Sequence, residues 1–65
     1  MKVSELIDYT LKGRYYEVIK FNNTHYYFDE DNKTYINIYG VNLWVALIGA
    51  VENGSYVGDL ELEAF

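Results

Sequence analysis

The sequence predicts an α+β fold in a single small domain over residues 1–65: an N-terminal helix, a three-stranded antiparallel meander, a second apolar helix (or a buried strand) and a C-terminal strand. Three observations carry this expectation. Val3–Lys12 places apolar residues at helical spacing. Two short runs of turn formers, Asn22-Asn23 and Asp29-Glu30-Asp31-Asn32, separate stretches that alternate with period two. Asn42–Val51 is the most apolar run in the chain and holds its only tryptophan, Trp44.

In Val3–Lys12 the apolar stripe is Val3, Leu6, Ile7 and Leu11, with Glu5, Asp8 and Lys12 opposite. Glu5 stands near the N-terminus, where the helix dipole favours acid, and Asp8 and Lys12 form a favourably ordered pair one turn apart. Gly13 suits the position just past the helix end. Arg14–Phe21 reads as a strand with Tyr15, Glu17, Ile19 and Phe21 on one face. Asn22-Asn23 reads as a two-residue turn, because asparagine tolerates the left-handed region. Thr24–Asp29 returns with Tyr26 and Phe28 on one face and His25 and Tyr27 on the other. After the acidic turn, Lys33–Tyr39 forms a third strand with Ile36 and Ile38 inward and Tyr35, Asn37 and Tyr39 outward.

The apolar run admits two readings. Asn42 can cap a helix, and Asn53-Gly54 can stop it. As a helix it aligns Leu43, Leu47 and Val51 on one stripe and Trp44 and Ile48 on the next. As a buried strand it alternates Val41, Leu43, Val45 and Leu47 with their neighbours. The caps and the leucine and alanine content favour the helix. A helix apolar on nearly all sides needs more cover than a domain of this size provides, so a homodimer interface at Leu43, Trp44, Leu47 and Ile48 is expected. Tyr56–Ala64 closes the chain as a strand, Leu60 and Leu62 inward and Asp59, Glu61 and Glu63 outward.

Composition narrows the function classes. A chain of 65 residues buries only about 60% of its unfolded surface. No cysteine means no disulfide and no thiolate metal site, and His25 is the lone histidine. No stretch reaches the roughly 20 apolar residues of a membrane span, and MKVSELIDY carries charges where a signal peptide needs its apolar segment. A cytoplasmic protein is the expectation. The formal charge is −5, and all five basic residues lie within the first 33 positions. From Thr34 onward the only charged residues are Glu52, Asp59, Glu61 and Glu63. Direct binding to nucleic-acid phosphates is therefore disfavoured, and a basic protein partner is better matched.

Two constellations are candidate binding surfaces. Tyr16, Tyr27, Tyr35 and Tyr39 would share the solvent side of the meander with His25 and Asn37, and tyrosine is enriched at interfaces, although it is also a good strand former. Asp59, Glu61 and Glu63 would form a row of carboxylates about 6.6–6.8 Å apart, which resembles the charge pattern of a nucleic-acid backbone. The bland reading of that row is an edge strand protected by charge. The acidic turn lacks the calcium-loop pattern, so no metal is expected. One histidine, two serines outside any nucleophile motif and no glycine-rich phosphate loop leave little for catalysis, and no cofactor is expected.

The short helix (VSELIDYTLKG), the Tyr/Asn-rich hairpin (RYYEVIKFNNTHYYFDED), the apolar run and the acidic tail (DLELEAF) together resemble small accessory proteins encoded by phages and prophages of Gram-positive bacteria. The resemblance is one of style across the whole chain, without a defining motif. It implies an inhibitor of a host defence or nucleic-acid enzyme, and together with the two surfaces above it leads to the expectation of a non-enzymatic protein that docks its acidic or tyrosine-rich surface on a host nucleic-acid-binding or defence protein. The alternatives are an oligomer that sequesters a small molecule at its subunit interface and a structural subunit of a larger assembly.

Overall fold

The computed structural model describes the backbone of residues 1–65 and every side chain except that of Val57. In chain order the elements are α1 (Val3–Leu11), β1 (Val18–Phe21), β2 (Thr24–Asp29), β3 (Thr34–Ile36), α2 (Leu43–Glu52), a 3-10 turn at Val57–Asp59, and β4 (Glu63–Ala64). The strands form one antiparallel sheet in the order β3-β2-β1-β4. The α+β architecture, the meander and the helical form of the apolar run agree with the sequence reading.

The helix ends follow from their capping chemistry. The Asn42 side chain accepts from the Trp44 N–H at 2.8 Å, which satisfies one of the free donors at the start of α2. Gly54, at φ +105°, ends that helix, and its N–H returns to the Val51 carbonyl. At the start of α1 the flanking residue is Lys2, whose ammonium cannot accept a hydrogen bond. Only the reverse half of a capping arrangement forms there, with Glu5 Oε2 accepting from the Lys2 N–H at 3.1 Å.

Asn22 and Asn23 both take positive φ, 52° and 61°, the conformation a two-residue hairpin turn requires. It pairs Ile19 with Tyr26 and Lys20 with His25. The core unites Val3 and Leu6 of α1, Leu43 and Leu47 of α2, Ile19, Tyr26 and Tyr35 of the sheet, and Leu60 and Leu62. These sheet residues share one face, so both helices cover that face alone.

Several expectations need correction. Arg14–Glu17 is not strand; β1 begins at Val18. The third strand stops at Ile36, because the Asn37 side chain accepts from the N–H groups of Tyr39 and Val41, both at 2.9 Å, and curls the chain. Its faces are also inverted. Residues 30–33 form a four-residue connection with Lys33 at φ +55°, which pairs Asp29 with Thr34 and Phe28 with Tyr35. Tyr35 therefore joins Phe28 on the core face, and Ile36 turns outward, because one residue of register exchanges the two faces. The expected strand Tyr56–Ala64 reduces to Glu63–Ala64, with Asp59 in the 3-10 turn, although Leu60 and Leu62 do face the core. Leu11 is exposed rather than part of the α1 stripe. Among the described residues, no helix is long and apolar enough to cross a membrane.

Candidate functional site

Among the described residues, no helix covers the sheet face turned away from the core, although Thr34 on that face is buried at 8% exposure. Antiparallel register places its side chains in two rows. Ile36 pairs with Tyr27, and Tyr27 with Val18. Val18 exchanges backbone hydrogen bonds with Phe65, which directly follows β4, so the four form an apolar row across β3, β2, β1 and the chain end beside them. Tyr27 and Phe65 are the outward parts of this row, 49% and 62% exposed. One step along, His25 pairs with Lys20, and Lys20 with Glu63, giving a polar row. Beyond the end of β3, Ile38 and Tyr39 stand in the turn that leads towards α2. With Asn23, Thr24, His25 and Tyr27 they line an open groove of about 280 Å³.

Two of the four tyrosines expected on this surface are there or beside it. Tyr27 lies on the open face, and Tyr39, 80% exposed, lies in the adjoining turn. Tyr35 is only 2% exposed and belongs to the core. Its hydroxyl oxygen accepts from the Tyr16 N–H at 3.0 Å, and its ring packs edge-on to Phe28 at 5.3 Å. Tyr16 is half-buried against Tyr9 in an edge-to-face pair with centroids 5.6 Å apart. Burial pushes the Tyr35 phenol up, against the opposing pull of the Tyr16 N–H. Desolvation, and then the neighbouring Tyr9, push the Tyr16 phenol up as well. Both phenols stay protonated through the neutral range and act as structural groups.

The acidic row survives in part. Glu61 and Glu63 flank the buried Leu62 and share a groove of about 420 Å³ with Met1, Lys20, Asn22 and Asn23. The Met1 amino group lies 3.3 Å from Glu61 Oε2 and also donates to the Leu62 carbonyl at 2.6 Å. Asp59 sits in the 3-10 turn, so a regular two-residue spacing of three carboxylates does not form. In the acidic turn the Asp29 carboxylate accepts from the Asp31 N–H and from Asn32 Nδ2, so Asp29 serves as the turn's own hydrogen-bond acceptor. Among the described residues, no three His, Cys, Asp or Glu side chains cluster as metal ligands.

Of the residues expected at an oligomer interface, Leu43 and Leu47 are buried inside the chain, at 0% and 2% exposure. Trp44 is half-buried against the core, and Ile48 is exposed. Sequence reasoning missed Val18, Ile36 and Phe65. The hairpin register would have found Val18 opposite Tyr27; Ile36 and Phe65 depend on pairings made across longer connections. Comparison with protein-family models, curated proteins and solved structures gives no match.

Proposed function

We propose that this chain is a non-enzymatic binding protein. It docks its open sheet face on another protein and blocks that protein's working surface. The observation that carries this reading is the row Ile36, Tyr27, Val18 and Phe65 on the sheet's outer face, in which Tyr27 and Phe65 stand exposed and Ile36 and Val18 half-buried. Apolar and aromatic side chains displayed together on a sheet supply the stiff anchors on which interfaces depend. The target class follows from charge. Glu61 and Glu63 border the same sheet, and the chain carries −5 overall, which suits a partner with basic groups. A host nucleic-acid-binding or defence protein fits that description, in keeping with the resemblance to phage accessory proteins.

The test uses the protein as bait against a Gram-positive host extract, followed by affinity measurement on the purified partner. Replacing both Tyr27 and Phe65 with serine removes two anchors, and affinity is expected to fall at least tenfold. Glu61→Lys with Glu63→Lys is expected to slow association and to reduce its salt dependence. A partner that binds the Tyr27/Phe65 variant as tightly as the parent would overturn the reading.

A further inference from the structure

A different face of the molecule carries the further inference. From Gly40 to Val51 the chain has no charged residue. Leu43 and Leu47 turn this segment's inner side into the core, yet its outer side is also apolar. Val45 and Ile48 lie three residues apart and so align along the outside of α2, while Val41, 38% exposed, stands just before the Asn42 cap. Val45 and Ile48 are 61% and 58% exposed. Trp44 flanks this stripe on one side. Gly49 flanks it on the other, where a Cβ would meet nothing within 4 Å.

The next step along the stripe is Glu52, and its position is electrostatically wrong for an isolated helix. The C-terminal end of a helix carries partial negative charge and the N-terminal end partial positive charge. In α2 the acid stands in the last turn; the first turn holds no acid and the last turn no base. A second helix laid antiparallel across the stripe corrects this. With the crossing point between Val45 and Ile48, Glu52 of each copy comes level with the start of the facing helix, beside its N-terminal turn.

We infer that the chain self-associates through α2, two copies packing these helices antiparallel about a two-fold axis. Such an interface must be self-complementary, and this one is: an uncharged stripe meets itself, and each end of the helix meets its opposite. Elsewhere copies of a chain with net charge −5 repel one another. The stripe is short, because ten helical residues span only about 15 Å. A stable interface buries about 800 Å² per partner, a large share of the 4566 Å² this chain exposes. The dimer is therefore reversible and concentration-dependent. It leaves the open sheet face free, so it is independent of the docking function proposed above.

The experiment is sedimentation equilibrium of the full chain from micromolar to millimolar concentration, with circular dichroism as the check on folding. The parent mass is expected to rise towards twice the monomer. Ile48→Glu, at an exposed position, is expected to keep the fold and remain monomeric. Glu52→Lys separates this geometry from simple stickiness. It should weaken association about tenfold while raising the thermal midpoint of the dilute monomer. A parent that stays monomeric at millimolar concentration overturns the inference, as does a dimer that persists in folded Ile48→Glu. Association unchanged in Glu52→Lys overturns the antiparallel arrangement.

Discussion

The two helices cover the same sheet face yet differ in the charge they turn to the outside. α1 buries Val3 and Leu6, and its outward residues include Ser4, Glu5, Asp8 and, just past its end, Lys12. Of its two acids, Glu5 lies in the first turn, where the helix dipole favours it, and Asp8 pairs one turn on with Lys12 in sequence. α2 buries Leu43 and Leu47 but presents Val45 and Ile48 outward, and places its acid at the unfavourable end. The inner faces of both helices are explained by the fold. α1 also exposes apolar side chains, Leu11 at 81% and Ile7 at 38%, but sets them among Glu5, Asp8 and Lys12, whereas the outer side of α2 is uncharged up to Glu52. The surplus apolar surface of α2 is not required to hold the chain together, and it is there that a second role for the helix should be sought.

The largest test of this comparison acts on the inner faces, where the helices should be equivalent. Leu6→Ala and Leu47→Ala each remove a buried side chain and should each cost about 2–5 kcal/mol. A chain of 65 residues has roughly 3–10 kcal/mol to lose, so both variants should be partly unfolded at room temperature in urea titrations. A markedly smaller loss at Leu47 would mean that α2 is a loosely held cover, and its outer face would then need another explanation.

Capping gives a smaller contrast of opposite sign. Asn42→Ala deletes the acceptor for the Trp44 N–H and should lower stability by about 1 kcal/mol. Lys2→Ser supplies the acceptor that α1 lacks and should raise it by about 0.5–1 kcal/mol, with Glu5 already in place to complete the reciprocal arrangement. Chemical denaturation of the two variants in parallel decides the point. Equal and negative effects would show that α1 is capped by some other group.

Many features set by neighbours in the chain were legible in the sequence, though not the Asn37 turn that ends β3, whereas features set by pairing across longer connections were not. Asn42 and Gly54 bound α2, Gly13 follows α1 at φ +76°, and Asn22-Asn23 closes the first hairpin, all as their local chemistry dictates. The alternation in Thr24–Asp29 correctly separates Tyr26 and Phe28 from His25 and Tyr27. The third strand fails because its faces depend on how many residues the acidic connection takes up. A preference for isoleucine inside then chooses wrongly. Tyr35 tolerates burial because its hydroxyl finds the Tyr16 N–H, a contact between residues 19 positions apart that no local pattern announces. The candidate site inherits the same error. Tyr27 and the Glu61 and Glu63 pair could be singled out in advance, whereas the row through Ile36 and Phe65 requires the completed sheet.

The finest contrast lies in the charges at the helix ends. Glu5→Gln removes an acid from the start of α1, together with part of its hydrogen bond to the Lys2 N–H, and should destabilise by about 0.3–1 kcal/mol. Glu52→Gln removes an acid from the end of α2 and, in solution dilute enough to keep the chain monomeric, should stabilise by a similar amount. Thermal unfolding of both variants at low ionic strength should move the midpoint in opposite directions, and added salt should shrink the two shifts together. Stabilisation by Glu52→Gln that is lost as protein concentration rises would tie the cost of that glutamate in the monomer to its use between copies. Destabilisation even in dilute solution would mean that Glu52 already has a favourable partner within its own chain, and the electrostatic asymmetry between the helices would disappear.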